Sequence, residues 1–230
     1  MQLFRVGSHM TKMFSKVVTL LCIVSLLKQT DCLTRSEVES ELKPTLLRLR
    51  DIANLKYQET TREYSSLVSQ LNTYLTRSRN TTQTQINKIK EILTQAKKNA
   101  TGVTLTCLRT QESIASRLST SLLNNCNSNS NTSRLVNTKS RFSTLANVAY
   151  NTAYWCSSLN PLDTQIESYE KCFSDKVYDL NLQINRLQRQ YEELSNDTLR
   201  YNLNCLTDKA GAILTQIGVI SYEINICFFT

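Results

Sequence analysis

Histidine is almost absent from these 230 residues, occurring once, as His9. Ser-His-Asp and Cys-His catalysis and histidine-based metal sites are therefore excluded for everything after residue 9. Glycine, with four residues, and proline, with two, are scarce. So few glycines cannot build a Gly-rich phosphate loop. The same shortage, with few β-branched runs, favours an all-α fold. No CxxC pair occurs, so a zinc reading of the cysteines is weak.

What is present begins with an export signal. Arg5, Lys12 and Lys16 precede an eleven-residue apolar run, Val17 to Leu27. This matches a secretory signal peptide and is too short for a transmembrane helix. Cleavage after Cys32 makes residues 1–32 the signal. A start at Met10 or Met13 would leave residues 1–12 as an upstream leader. Removing Cys22 and Cys32 leaves six cysteines, Cys107, Cys126, Cys156, Cys172, Cys205 and Cys227. An even count in an exported chain implies disulfides. Four sequons, at Asn80, Asn99, Asn131 and Asn196, mark N-glycosylation candidates. Three of them fall at places read as turns or helix ends.

Charge is unevenly spread. Residues 33–157 carry a net +9 and residues 158–230 a net −4. An anionic partner is one reading of the basic part. Mutual neutralisation of the two parts is favoured, because the cations are scattered in sequence.

Helical periodicity runs throughout. Leu46, Leu49 and Ala53, then Tyr57, Tyr64, Leu67, Leu71 and Tyr74, form one stripe, with Pro44 placed in the first helical turn. A polar break at Ser78–Thr82 separates it from a stripe through Ile86, Ile89, Leu93 and Ala96. Val103 to Leu123 reads as a helix ending in a solvated Asn/Ser tract, 124–133. Leu135, Phe142, Leu145, Ala149 and Cys156 stripe the next helix, which Asn160-Pro161 ends. In the last stretch, Val177 to Leu194 and Leu199 to Cys227 are out of phase. The jump falls at Ser195-Asn196-Asp197, all good cap or turn residues. A tight antiparallel reversal there is favoured over one long helix with a stutter.

That reversal sets the expected staples. Cys205 and Cys227 lie on one helix about 33 Å apart and cannot bond. Two hairpins side by side suggest Cys107–Cys156, Cys126–Cys205 and Cys172–Cys227, one of fifteen pairings. The expected architecture is an all-α, elongated antiparallel bundle of two helical hairpins, disulfide-stapled, with coiled-coil-like seams. An N-terminal helical arm, 33–99, precedes the cysteine-bearing domain, 100–230.

Nothing in the chain supports an enzyme, a cofactor or a metal. Acid pairs such as Glu192 with Glu193 and Glu167 with Glu170 read as solvated faces. Tyr150, Tyr154 and Trp155 form a patch beside Cys156 that either lines a ligand pocket or, more simply, covers a disulfide. Gln216, Glu223 and Asn225 interrupt the apolar segment 210–230, which argues against a membrane role. No aromatic-interleaved basic patch suggests nucleic acid.

Residues 100–230 resemble a family of secreted insect proteins named after the tsetse fly midgut EP protein. The features shared are the signal run, a Ser/Thr/Asn-rich helical domain, Cys156 and Cys172 bracketing a short link, Lys171-Cys172-Phe173, Cys205 and a last cysteine near the end. The resemblance implies a gut or immune setting without an assigned biochemical activity. The functional expectation is a secreted, N-glycosylated helical interaction protein with an extracellular protein or glycan partner. The alternative is an extracellular carrier of small apolar ligands.

Overall fold

The computed structural model describes residues 34–127, 130–159 and 166–229. The signal run and Asn160-Pro161 lie outside them. Four α-helices form: α1, Arg35–Lys97; α2, Gly102–Ser116; α3, Ser130–Ser158; and α4, Ile166–Ile226. A 3-10 helix, Thr120–Asn127, joins α2 to α3. Among the described residues there is no strand.

The path differs from two hairpins. α1 and α4 are long helices that run parallel. Tyr169 meets Glu39 at one end, and the Tyr191 hydroxyl donates to the Thr60 carbonyl at 2.8 Å farther along. The latter pair is 131 residues apart. Ile86, Ile89 and Leu93 share a core with Ile213, Ile220 and Ile224 at the other end. The register is thus held over a rod of about 95 Å. The remaining elements form one broken return leg. α2 lies against the far end, and the 3-10 helix buries Leu123 and Cys126 at mid-length. α3 runs back to the near end, where Arg35 donates to the Ser157 carbonyl at 2.9 Å.

The reversal expected at Ser195-Asn196-Asp197 does not occur, because α4 continues through it. Its seam is completed by two polar residues, Thr198 and Asn202, fully buried between Leu194 and Leu206. Leu199 and Leu203, chosen for the seam by their apolarity, are only half-buried. The Thr198 hydroxyl donates to the Leu194 carbonyl at 2.7 Å, and the Asn202 amide donates to the Thr198 carbonyl at 2.7 Å. Local back-bonding satisfies these donors inside an unbroken helix. The break expected at Ser78–Thr82 is also absent: α1 passes through with Thr82 buried. Counted with their polar members, both seams advance about 3.6 residues per step, the period of a straight helix.

Other boundaries shift for local reasons. Thr34 caps α1: its hydroxyl accepts from the Glu37 amide, and its own amide donates to the Glu37 carboxylate at 2.6 Å. The helix therefore starts at Arg35, and Pro44 stands inside it rather than in its first turn. There it removes one backbone donor. The helix expected to reach Leu123 ends at Ser116. Part of the polar tract then winds as 3-10 turn, because Leu123 and Cys126 must face the core. Gly102, at φ 57°, supplies the left-handed residue that turns α1 into α2. The residues expected to form an arm are thus one helix that contributes to the core along its length. Tyr57 and Tyr74, expected on its apolar stripe, are exposed, while Thr60 takes a core position.

The bridges are Cys107–Cys227, Cys126–Cys205 and Cys156–Cys172, with Cα separations of 5.7, 5.5 and 6.0 Å. Cys126–Cys205 is as expected. Cys107–Cys156 and Cys172–Cys227 are not formed, since with α4 unbroken Cys172 and Cys227 stand about 80 Å apart. All three bridges join the return leg to α4 and are nested about a point near residue 165. That nesting is the register of an antiparallel pair, the return leg against α4.

Non-reducing peptide mapping should recover these three pairs, and a Cys172–Cys227 peptide would contradict the parallel α1–α4 path. The buried Asn202 Oδ1 has no hydrogen-bond partner among the described residues. Asn202→Leu should therefore raise stability by about 1–2 kcal/mol in urea unfolding, read as a higher midpoint at unchanged slope.

Candidate functional site

The richest cluster of polar chemistry sits where α1 and α4 meet near mid-length. Tyr191 is buried and donates its hydroxyl to the Thr60 carbonyl. The Thr60 hydroxyl donates to the Lys56 carbonyl at 2.7 Å, and the Lys56 ammonium pairs with Glu59 at 2.8 Å. Glu63 is exposed, yet partial desolvation beside the helix contact pushes its carboxyl up, and the neighbouring charge of Glu59 adds to it. Burial pushes the Tyr191 hydroxyl up to about 12, reinforced by Glu63 and Tyr64. The protonated phenol donates its hydrogen bond to the Thr60 carbonyl across the two helices. The cluster orients two helices. The sequence reading missed it because Thr60 was not counted as a seam residue.

A second set of contacts runs between α1 and α3. Lys43 lies over the Tyr154 ring at 5.1 Å and Arg50 over Tyr150 at 5.9 Å. Lys139 faces Tyr64 at 5.2 Å and Tyr57 at 5.9 Å. The α1 partners recur every seven residues, so they line the edge where α3 rests on α1. Each contact is worth about 0.5–1 kcal/mol at an exposed site. Tyr150, Tyr154 and Trp155, considered for a pocket or a disulfide cover, are exposed. Tyr150 and Tyr154 meet with ring centroids 4.6 Å apart and planes tilted by 51°, on the outside of the rod.

All six candidate cysteines are bridged. Of the sequon asparagines, Asn99 is exposed in the turn after α1. Asn80 and Asn196 are exposed but lie in mid-helix, not at turns. Asn131 falls in the first turn of α3, and its side chain lies outside the described residues. Glu192 and Glu193 are exposed on α4, and Gln188 donates to Glu192 at 2.6 Å. Among the described residues no group of three His, Cys, Asp or Glu side chains could hold a metal. None of their helices is long and apolar enough to cross a membrane. One surface concavity, about 770 Å³, lies along α1 and is lined by Ser69, Asn72, Thr73, Thr76 and Asn80 among others.

No family model, no curated protein and no solved structure matches the chain.

The Tyr191 proton is held to about pH 12 in the folded state and released near the ordinary value of 10.0 in the unfolded chain. The stability it contributes is full below pH 10 and is lost as pH rises from there toward 12. Tyr191→Phe should cost about 1 kcal/mol at neutral pH. It should also make the loss of stability between pH 10 and 12 less steep than in the parent, as read by urea unfolding at each pH.

Proposed function

We propose that the chain is a secreted, N-glycosylated, non-enzymatic interaction protein that works as a rigid helical rod. The observation that carries this reading is the placement of three disulfides along the rod. Bridges of this kind persist in oxidising compartments and are rare where thiols are kept reduced. The exposed sequon residues Asn80, Asn99 and Asn196 accord with that route. The resemblance to the tsetse-named family suggests gut lumen or haemolymph as the setting. The polar clusters support the non-enzymatic part: the buried Tyr191 hydroxyl is engaged with the Thr60 carbonyl, and the exposed acids stand on a helix surface.

Expression of the full chain in a secretory eukaryotic host tests the reading. Expected are recovery from the medium, an amino terminus close to residue 33, a mass decrease on N-glycosidase treatment and no free thiol in the processed protein. Retention in the cytosol with titratable cysteines would overturn it.

A further inference from the structure

Two stretches without acidic residues come together at the middle of the rod. α1 has none between Glu63 and Glu91, and the return leg has none from residue 113 to residue 158. The fold sets them side by side: Leu67 and Leu71 share a core with Leu135, and Leu75 shares one with Leu123 and Cys126. Cations far apart in sequence thereby occupy one region. On α1 they are Arg77, Arg79, Lys88 and Lys90, all exposed, and the return leg adds the exposed Arg117 and Arg134. At this level Asp197 and Asp208 lie on α4, and Asp197 is paired with Arg200 at 2.9 Å.

The α1 cations are ordered. Arg77 and Lys88 are eleven residues apart, as are Arg79 and Lys90. Eleven residues make three helical turns, so each pair forms a line along α1 with charges about 16 Å apart. The two lines stand about 160° apart around the helix, on its two flanks, and between them runs the outward strip of α1. It is exposed and made of Ser69, Asn72, Thr76, Asn80, Gln83 and Asn87. Where the strip meets the 3-10 helix, Thr76, Arg79, Asn80, Gln83 and Thr120 enclose a groove of about 250 Å³.

We propose that this face of α1, residues 69–90, binds a linear sulfated polysaccharide. Two rows of cations match sulfates along an extended chain, and the hydroxyls and amides between them match sugar hydroxyls. Single-stranded nucleic acid is favoured by aromatic platforms, and a lipid surface by an apolar face. The strip carries neither. The proposal depends on the secreted reading for its biological setting only, because binding is measured on purified protein.

The test is heparin affinity of the disulfide-intact full chain at several salt concentrations. It is read on protein exported to a bacterial periplasm, where no N-glycan is added and Asn80 keeps its amide, since Asn80 heads a sequon on the strip. A variant with Arg77→Gln, Arg79→Gln, Lys88→Gln and Lys90→Gln should bind at least tenfold more weakly, with a shallower salt dependence. A control with the same charge loss, Arg48→Gln, Arg62→Gln, Lys171→Gln and Lys176→Gln, should stay within about twofold of the parent. A second variant, Asn80→Glu with Gln83→Glu, keeps every cation and should also weaken binding. Circular dichroism checks that each variant keeps its helix. Equal loss in the strip variant and the control would reduce the effect to net charge and overturn the proposal. So would no heparin binding by the parent, or equally tight binding of single-stranded DNA or phosphatidylserine vesicles. None of these results bears on export, which is read from the culture medium.

Discussion

The fold depends on the cross-linked register between the return leg and α4. Three bridges nested about residue 165 hold two antiparallel strands of helix at the near end, the middle and the far end. Once those levels are fixed, the return leg cannot slide against α4 by a turn at any point. The pair then presents one continuous apolar groove, and α1 lies in it. Its seam from Val38 to Ala96 runs at the same period as the seam of α4 from Tyr169 to Cys227. Two parallel helices with the same mean step keep one offset along their length, which is why Tyr169 meets Glu39 and Tyr191 meets Thr60 at nearly equal separations of 130 and 131 residues.

That equality has a cost in polarity. A strict heptad would drift across a straight helix and demand a supercoil. Here the stripe stays straight by accepting whatever residue falls on it, including Thr60, Thr82, Thr198 and Asn202. For Thr60, Thr198 and Asn202 a side-chain bond to a carbonyl of the same helix covers a buried donor. Such back-bonding is slightly unfavourable in a helix. The central portion of the rod, between the two apolar ends, is therefore the part with the most polar core.

These residues also mark the limit of what could be read from composition and period. The all-α class and the stripe of α3 from Leu135 to Cys156 were legible, because apolar residues alone define them. The Cys126–Cys205 bridge was expected from a reversal at Asn196 that does not occur, so that pair agrees with the structure on a premise the structure removes. The unbroken passage of α1 and α4 was not. Ser195, Asn196 and Asp197 are good caps, and beside a phase jump they look like an end. What decided against it was tertiary burial of Thr198 and Asn202, which no local preference encodes. The true pairing of the cysteines was present as their common midpoint near the Pro161 link. It could be used only if the chain reversed once, between α3 and α4, and not again at Asn196. The cation lines of α1 were hidden for the same reason: Arg77 with Lys88, and Arg79 with Lys90, align only if no break falls at Ser78–Thr82.

The same bridges leave α1 as the one long element without a covalent tie. Its position rests on the seam, on the Tyr191–Thr60 bond and on the row of cation–aromatic contacts with α3. A stapled pair of legs lowers the entropy of forming the groove, because three loop closures are already made in the unfolded chain. α1 then docks onto a largely pre-set surface, and the contacts made by its inner face fix how its outer face is presented. Arg77, Arg79, Lys88 and Lys90 sit on the stretch of α1 that packs against the return leg between its upper and middle bridges, Cys107–Cys227 and Cys126–Cys205. The charged face is thus carried by the uncrosslinked helix where the support beneath it is most constrained. A linear ligand favours that arrangement, because rows of charge hold their spacing only on a helix that stays straight.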